Sequence, residues 1–266
     1  MENKNLLAHE EERIKIMKNI LTTIKGDFVL KGGTGLLFGY GLNRFSEDID
    51  LDIINSKARK SNLKKLMETL EHIDNYQTRV SIKKDTDTTF RAMVDYGGKR
   101  SDLPVGMNDY NLKVEVSLRN KGLNMEPNNF HDVNGITVYT IGNLITQKIK
   151  AFSARSKARD IYDIGFLLNN YEKDFSLENY IDLAETIDRR DVDSMEYELK
   201  TAFFKRELSG ISKTFDPTTY SLAIAEQTER GLEQRLALKE EKLAKPKIKI
   251  NNSIGKNKAQ DKGYER

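Results

Sequence analysis

Cysteine is absent from all 266 residues, and so is tryptophan. Without a thiol there is no disulfide framework, no thiolate-bound metal and no cysteine nucleophile. Histidine is scarce. His9, His72 and His131 lie far apart in the chain, which argues against a histidine-built metal centre. No apolar run approaches the ~18 residues that a membrane helix requires. The first 19 residues are polar and amphipathic, with no signal-peptide core. A cytoplasmic chain with no membrane partner is expected, and a monomer, because no heptad run asks for a second helix.

Charge is what the chain has in plenty. Charged residues make up 32% of it and hydrophobic residues 38%, enough apolar material for a core and too much for wholesale disorder. The net charge is only +3, but residues 241–266 carry eight Lys or Arg against three Asp or Glu. A basic tail on a nearly neutral body suits contact with nucleic acid.

Residues 6–24 have helical spacing, and Phe28–Leu30 reads as a short buried strand. Gly32-Gly33 turns the chain into a helix over 34–40. The run 48–54 alternates as a strand, a helix is expected over 57–75, and further strands over 77–83, 88–96, 110–119 and 136–139. From Ile141 to about Lys245 the pattern is helical, and Pro246 opens a flexible basic stretch. The expected organisation is an α+β N-terminal domain of mixed sheet (1–140), a helical domain (141–245) and a tail (246–266).

Three groups of residues carry chemistry. Lys31-Gly32-Gly33-Thr34 lies between strand and helix, where glycines let backbone N–H groups approach a phosphate and the helix N-terminus adds positive potential. The order of residues is not that of a P-loop. Asp48 and Asp50, two apart on a strand, project from one face, and such a pair is a platform for Mg²⁺ or Mn²⁺ completed by substrate phosphates. Asp52 continues that face as a bystander. On the strand 111–118, Glu115 is the candidate third metal ligand and base for two-metal transfer, with Asp95 as its competitor. Finally, Lys148, Lys150, Arg155, Lys157 and Arg159 suit contacts to triphosphate or RNA. Asp160 and Asp163, one helical turn apart, serve either the site or the helix start, where Asp160 could cap.

Taken together, Lys31–Thr34, the run Arg44-Phe45-Ser46-Glu47-Asp48-Ile49-Asp50-Leu51, and Lys148 with Arg155 and Arg159-Asp160-Ile161-Tyr162-Asp163 resemble the AbiEii/AbiGii toxin family. These are nucleotidyltransferase-like proteins of bacterial abortive-infection and type IV toxin–antitoxin systems. The resemblance covers about residues 28–170. It implies a polymerase-β-like nucleotidyltransferase fold with a helical C-terminal domain. By motif position, Lys31, Gly32, Gly33, Thr34, Arg44, Ser46, Arg155, Arg159 and Asp163 would bind nucleotide. Asp48 and Asp50 would hold Mg²⁺, Glu115 matching the third acidic position loosely, and Lys148 and Asp160 would complete the catalytic set. The reaction it implies is NMP transfer from an NTP to an RNA hydroxyl, with the tRNA 3′ end as acceptor and a winged-helix antitoxin as partner. An NTP-binding module without turnover, and an enzyme adding AMP to protein, are the other readings these residues allow.

Overall fold

The computed structural model describes residues 6–97, 110–119, 126–155 and 157–244. Helix α1 (Ala8–Thr23) leads into β1 (Phe28–Lys31) and α2 (Gly32–Tyr40). Then come β2 (Ile49–Ile53), α3 (Arg59–Glu71), β3 (Arg79–Asp85), β4 (Thr89–Asp95), β5 (Asn111–Ser117) and the hairpin of β6 (Phe130–Val133) and β7 (Ile136–Tyr139). The rest is helical: α4 (Ile141–Ala154), α5 (Ala158–Tyr171), α6 (Leu177–Arg190), α7 (Val192–Phe204) and α8 (Pro217–Ala244). The protein is thus α+β. Among the described residues no helix is long and apolar enough to cross a membrane.

The seven strands form one mixed sheet in the order β3-β4-β5-β2-β1-β7-β6. The central pair β1–β2 is antiparallel, while β2–β5 and β1–β7 are parallel. Alternation fixes which way each strand faces. Ile49, Leu51 and Ile53 of β2 are buried with Leu112, Val114 and Val116 of β5, so Asp50, Asp52, Lys113, Glu115 and Ser117 share the opposite, wetter face. A slip of one residue would drive aspartates into the core, so burial pins the register.

One apolar cluster runs from Ile16 on α1 through the sheet to Ile224 on α8, so the sheet and the helical half share a core. Thr140 is the sole residue between β7 and α4. The C-terminal helix packs only in part: Ile224 is buried, while Leu222, Leu236 and Leu238 are exposed.

Several expectations needed revision. The helix expected over 57–75 is shorter, starting at Arg59 after a 3-10 turn (Ser56–Ala58) and ending at Glu71. β6 was not foreseen, because its side chains are at most half-buried and it pairs only with β7. Its turn was nonetheless legible as Asn134-Gly135, both at positive φ (52° and 84°), the dipeptide that two-residue hairpins favour. The helical half is five helices, broken among the described residues at 155–157, 172–176, 191 and 205–216. Residues 246–266, expected as the basic tail, lie outside the described residues.

Candidate active site

The strand-to-helix turn builds the first wall. Lys31 stands at the N-cap of α2 in extended conformation, with no side-chain cap and no acidic residue in the first turn. The first N–H groups of α2 therefore remain open for an anion. Both glycines are required here. Gly32 has φ +70°, and a Cβ would come 3.2 Å from Asp50 Oδ2; a Cβ on Gly33 would come 2.8 Å from Arg44 Nη2 and 2.9 Å from Ser46 Oγ.

Beneath this turn lies a buried charge network. Arg44 Nε and Nη2 donate to the two Asp163 oxygens, each at 2.7 Å, and Lys148 Nζ pairs with Asp163 as well. Lys148 also reaches Asp160 Oδ1 at 3.5 Å, and Arg155 grips Asp160 through Nε (2.7 Å) and Nη2 (3.2 Å). Arg44, Lys148, Asp160 and Asp163 are all under 8% exposed. Burial alone would raise the Asp163 carboxyl, but the charges of Arg44 and Lys148 outweigh it and hold it below the ordinary carboxylate value. Three cations, one of them the half-exposed Arg155, meet two carboxylates, so the network carries a net positive charge, and its Arg44 lies against the turn at Gly33.

The second wall is acidic. Asp48 ends the segment before β2, and its carbonyl is fixed by Thr34 Oγ1, which also lies 2.8 Å from Ser46 Oγ. Lys113 Nζ sits 2.6 Å from Asp48 Oδ2. Asp50 stands beside Glu115 in the β2–β5 register. Burial, helped by the neighbouring Asp48 and Glu115 charges and opposed by Lys113 and Lys31, raises the Asp50 carboxyl above its ordinary value. No described side chain hydrogen-bonds or ion-pairs with Asp50, which is half-buried. A half-buried carboxylate without a partner is less well solvated than a free one and gains from a cation beside it. Two hard oxygen donors of this kind fit Mg²⁺ or Mn²⁺ with substrate oxygens completing the shell.

The expected roles divide on this geometry. Glu115, opposite Asp50 in the ladder, is held by Arg91, whose Nε and Nη2 both lie 2.7 Å from its Oε2. Among the described residues no group of three His, Cys, Asp or Glu is arranged to hold a metal ion. Asp52 is no bystander, since Lys31 Nζ lies 2.5 Å from its Oδ1 and the Tyr139 hydroxyl donates to its Oδ2 at 2.7 Å. Asp160 does not cap α5; Lys157 occupies the N-cap and the Asp160 carboxylate turns inward. Arg159 pairs with Glu47 at 2.6 Å, not with the aspartates beside it. Asp95 accepts from the Gly97 N–H at the far end of β4. Arg44, Thr34 and Asp163 are withdrawn from solvent, so they hold the turn from behind. Lys113, Arg91 and Tyr139 went unread as partners, because only the cross-strand register reveals which carboxylate each one meets.

A cavity of about 660 Å³ opens beside Glu47, one residue from Asp48, and is lined among others by Arg13, Phe45, Lys157, Arg159, Lys205 and Arg206. Of these, Lys157 lies on the exposed basic rim that Lys150 and Arg155 continue.

An open helix N-terminus over a positive network, facing an aspartate pair on the central strand of a mixed sheet, defines a nucleotidyltransferase. Sequence comparison agrees: the family described as nucleotidyl transferase AbiEii toxin, type IV TA system, matches residues 16–251, and the chain belongs to that family. It is therefore a nucleotidyltransferase of a toxin family. Two solved structures are similar over nearly the whole chain. One is JHP933 from Helicobacter pylori, with 25% identity and a TM-score of 0.72 over 90% of this chain and 98% of the other. The second, a candidate nucleotidyltransferase from H. pylori, shows 26% identity and a TM-score of 0.69, covering 88% of this chain and 99% of its own. No curated protein matches in sequence.

Proposed function

We propose that this toxin transfers NMP from an NTP to an RNA hydroxyl, the 3′ end of a tRNA being the acceptor class, in a divalent-metal-dependent reaction. The observation that carries the proposal is the meeting of two opposite fields at one end of the central strand pair. The open N–H groups of α2, with the network's net positive charge beside them, attract a triphosphate; Asp48 and Asp50 attract a cation beside it.

A divalent cation held by Asp48 and Asp50 would supply charge stabilisation at the reacting phosphate. The chain's own part is placement. Gly32 and Gly33 let the backbone close on the phosphates, Arg44, fixed by Asp163, packs against Gly33, and Thr34 fixes Asp48 to the same helix end. In-line attack by a hydroxyl on the α-phosphate then needs no covalent enzyme intermediate, and pyrophosphate leaves. The cavity beside Glu47 offers the acceptor a place one residue from the metal ligands, and Lys150, Arg155 and Lys157 supply cations for an RNA backbone. An antitoxin protein, expected from the type IV assignment of the family, would be its partner in the cell.

The test is transfer of label from each α-phosphate-labelled NTP, with Mg²⁺, to total bacterial RNA and separately to cell protein. Label on a tRNA-sized band that disappears with Asp48→Asn supports the proposal. Label on protein alone would replace RNA with a protein acceptor. NTP binding with no label anywhere would favour a sensor.

A further inference from the structure

Each acidic side chain around the aspartate pair already has a cation of its own. Asp52 has Lys31, Glu115 has Arg91, and Asp48 has Lys113. The first two pairs leave the metal ligands untouched. Lys113 does not, because its ammonium lies 2.6 Å from an oxygen that the metal would use.

The placement follows from the sheet. Ile49 is opposite Val114 and Asp50 opposite Glu115 in the parallel β2–β5 ladder, so Asp48 and Lys113 fall one step earlier on the same face. The side chains of both are about 30% exposed, so each reaches solvent.

We propose that Lys113 is a tethered counter-cation: its ammonium stands in the place of the divalent ion and excludes free metal until the ion displaces it. The Asp48–Asp50 pair then presents one net negative charge to an incoming metal in place of two. The tether gives the ammonium a high local concentration, so a free ion must compete with it, not merely fill a vacant site. An ion arriving with a triphosphate meets a different balance. The displaced ammonium, a compact charge on a flexible stem, finds phosphate oxygens beside it and loses little by leaving Asp48. Lys113 thereby favours the metal–nucleotide complex over the free metal. The inference rests on the metal assignment proposed above for Asp48 and Asp50.

Titration of the nucleotide-free full chain with Mn²⁺, read by electron paramagnetic resonance of the free ion, tests it without any turnover. Lys113→Met and Lys113→Gln should bind Mn²⁺ about tenfold more tightly or better, since each removes a full positive charge next to the ion. Lys113→Arg should stay as weak as the wild type, and Asp48→Asn should lose binding. If Met and Gln at 113 bind no more tightly than the wild type while Asp48→Asn still loses binding, Lys113 does not hold the metal's place and only this inference falls. If Asp48→Asn binds like the wild type, or no variant binds at all, the metal assignment falls and carries the inference with it.

Discussion

Asp48, just before β2, and Asp50, within it, lie on one face but have opposite effects on the fold. Asp48 is compensated by Lys113. Asp50 has burial against it and no described partner, so its carboxyl is raised. An acid whose folded pKa lies above its unfolded value opposes folding when ionised, and stability is gained as pH falls through that value. In metal-free protein near pH 7, Asp50→Asn should therefore raise the thermal midpoint by about 2–4 °C, what ~1 kcal/mol produces in a chain of this size. Mn²⁺ should raise the midpoint of the wild type and leave that of the variant unchanged. A lower midpoint for the variant in scanning calorimetry would mean that Asp50 has a stabilising partner. Asp48 and Asp50 were legible from spacing alone, because alternation in a strand is a short-range rule. The partners of Glu115 and Asp52 were not, since Arg91 and Tyr139 reach them across strands that lie 24 and 87 residues away in sequence.

At the level of elements, the start of α2 depends on what lies under it. Gly33→Ala would drive a Cβ to within 2.8 Å of the Arg44 guanidinium, itself clamped by Asp163. Neither group can yield cheaply, so a loss of ~1–3 kcal/mol is expected on urea denaturation, as for overpacking elsewhere, together with weaker NTP binding by calorimetry. Unchanged stability would show that Arg44 can move aside. Asp163→Asn leaves Arg44 buried without its counter-charge and Lys148 with only the more distant Asp160, and should cost ~3–5 kcal/mol. Its pH signature is distinctive. The folded pKa of Asp163 is depressed, so its contribution is complete above the unfolded value near 4 and is lost as pH falls through the folded one. The stability gap between wild type and Asp163→Asn should thus be constant from pH 5 to 8 and close only in acid. A gap that widened below pH 4 would contradict the pairing. The family resemblance placed Arg44 and Asp163 with the nucleotide; that they pair with each other is set by packing between α5 and the segment before β2, which no local pattern records.

Across the whole molecule, the two halves are joined through the site as well as through the core. Arg44, Asp48 and Asp50 come from the sheet half, while Lys148, Arg155, Asp160 and Asp163 come from α4 and α5. The turn proposed to bind phosphate rests on Arg44, which Asp163 of the helical half holds from more than a hundred positions away, so the helical half shapes the candidate site. Most of the helices and strands were readable from periodicity, because the sheet alternates strongly and α4 and α6 keep one apolar face, whereas α5 is buried all round from Asp160 to Leu168. The order of strands was not, since β5 reaches β2 and β7 reaches β1 across intervening elements. The most direct test of the account is label transfer from α-phosphate-labelled NTP to RNA with Mg²⁺, wild type against Asp48→Asn. The account predicts labelled RNA with the wild type and a loss of about a hundredfold or more in the variant, with its circular dichroism spectrum unchanged. Equal labelling by both proteins would contradict it.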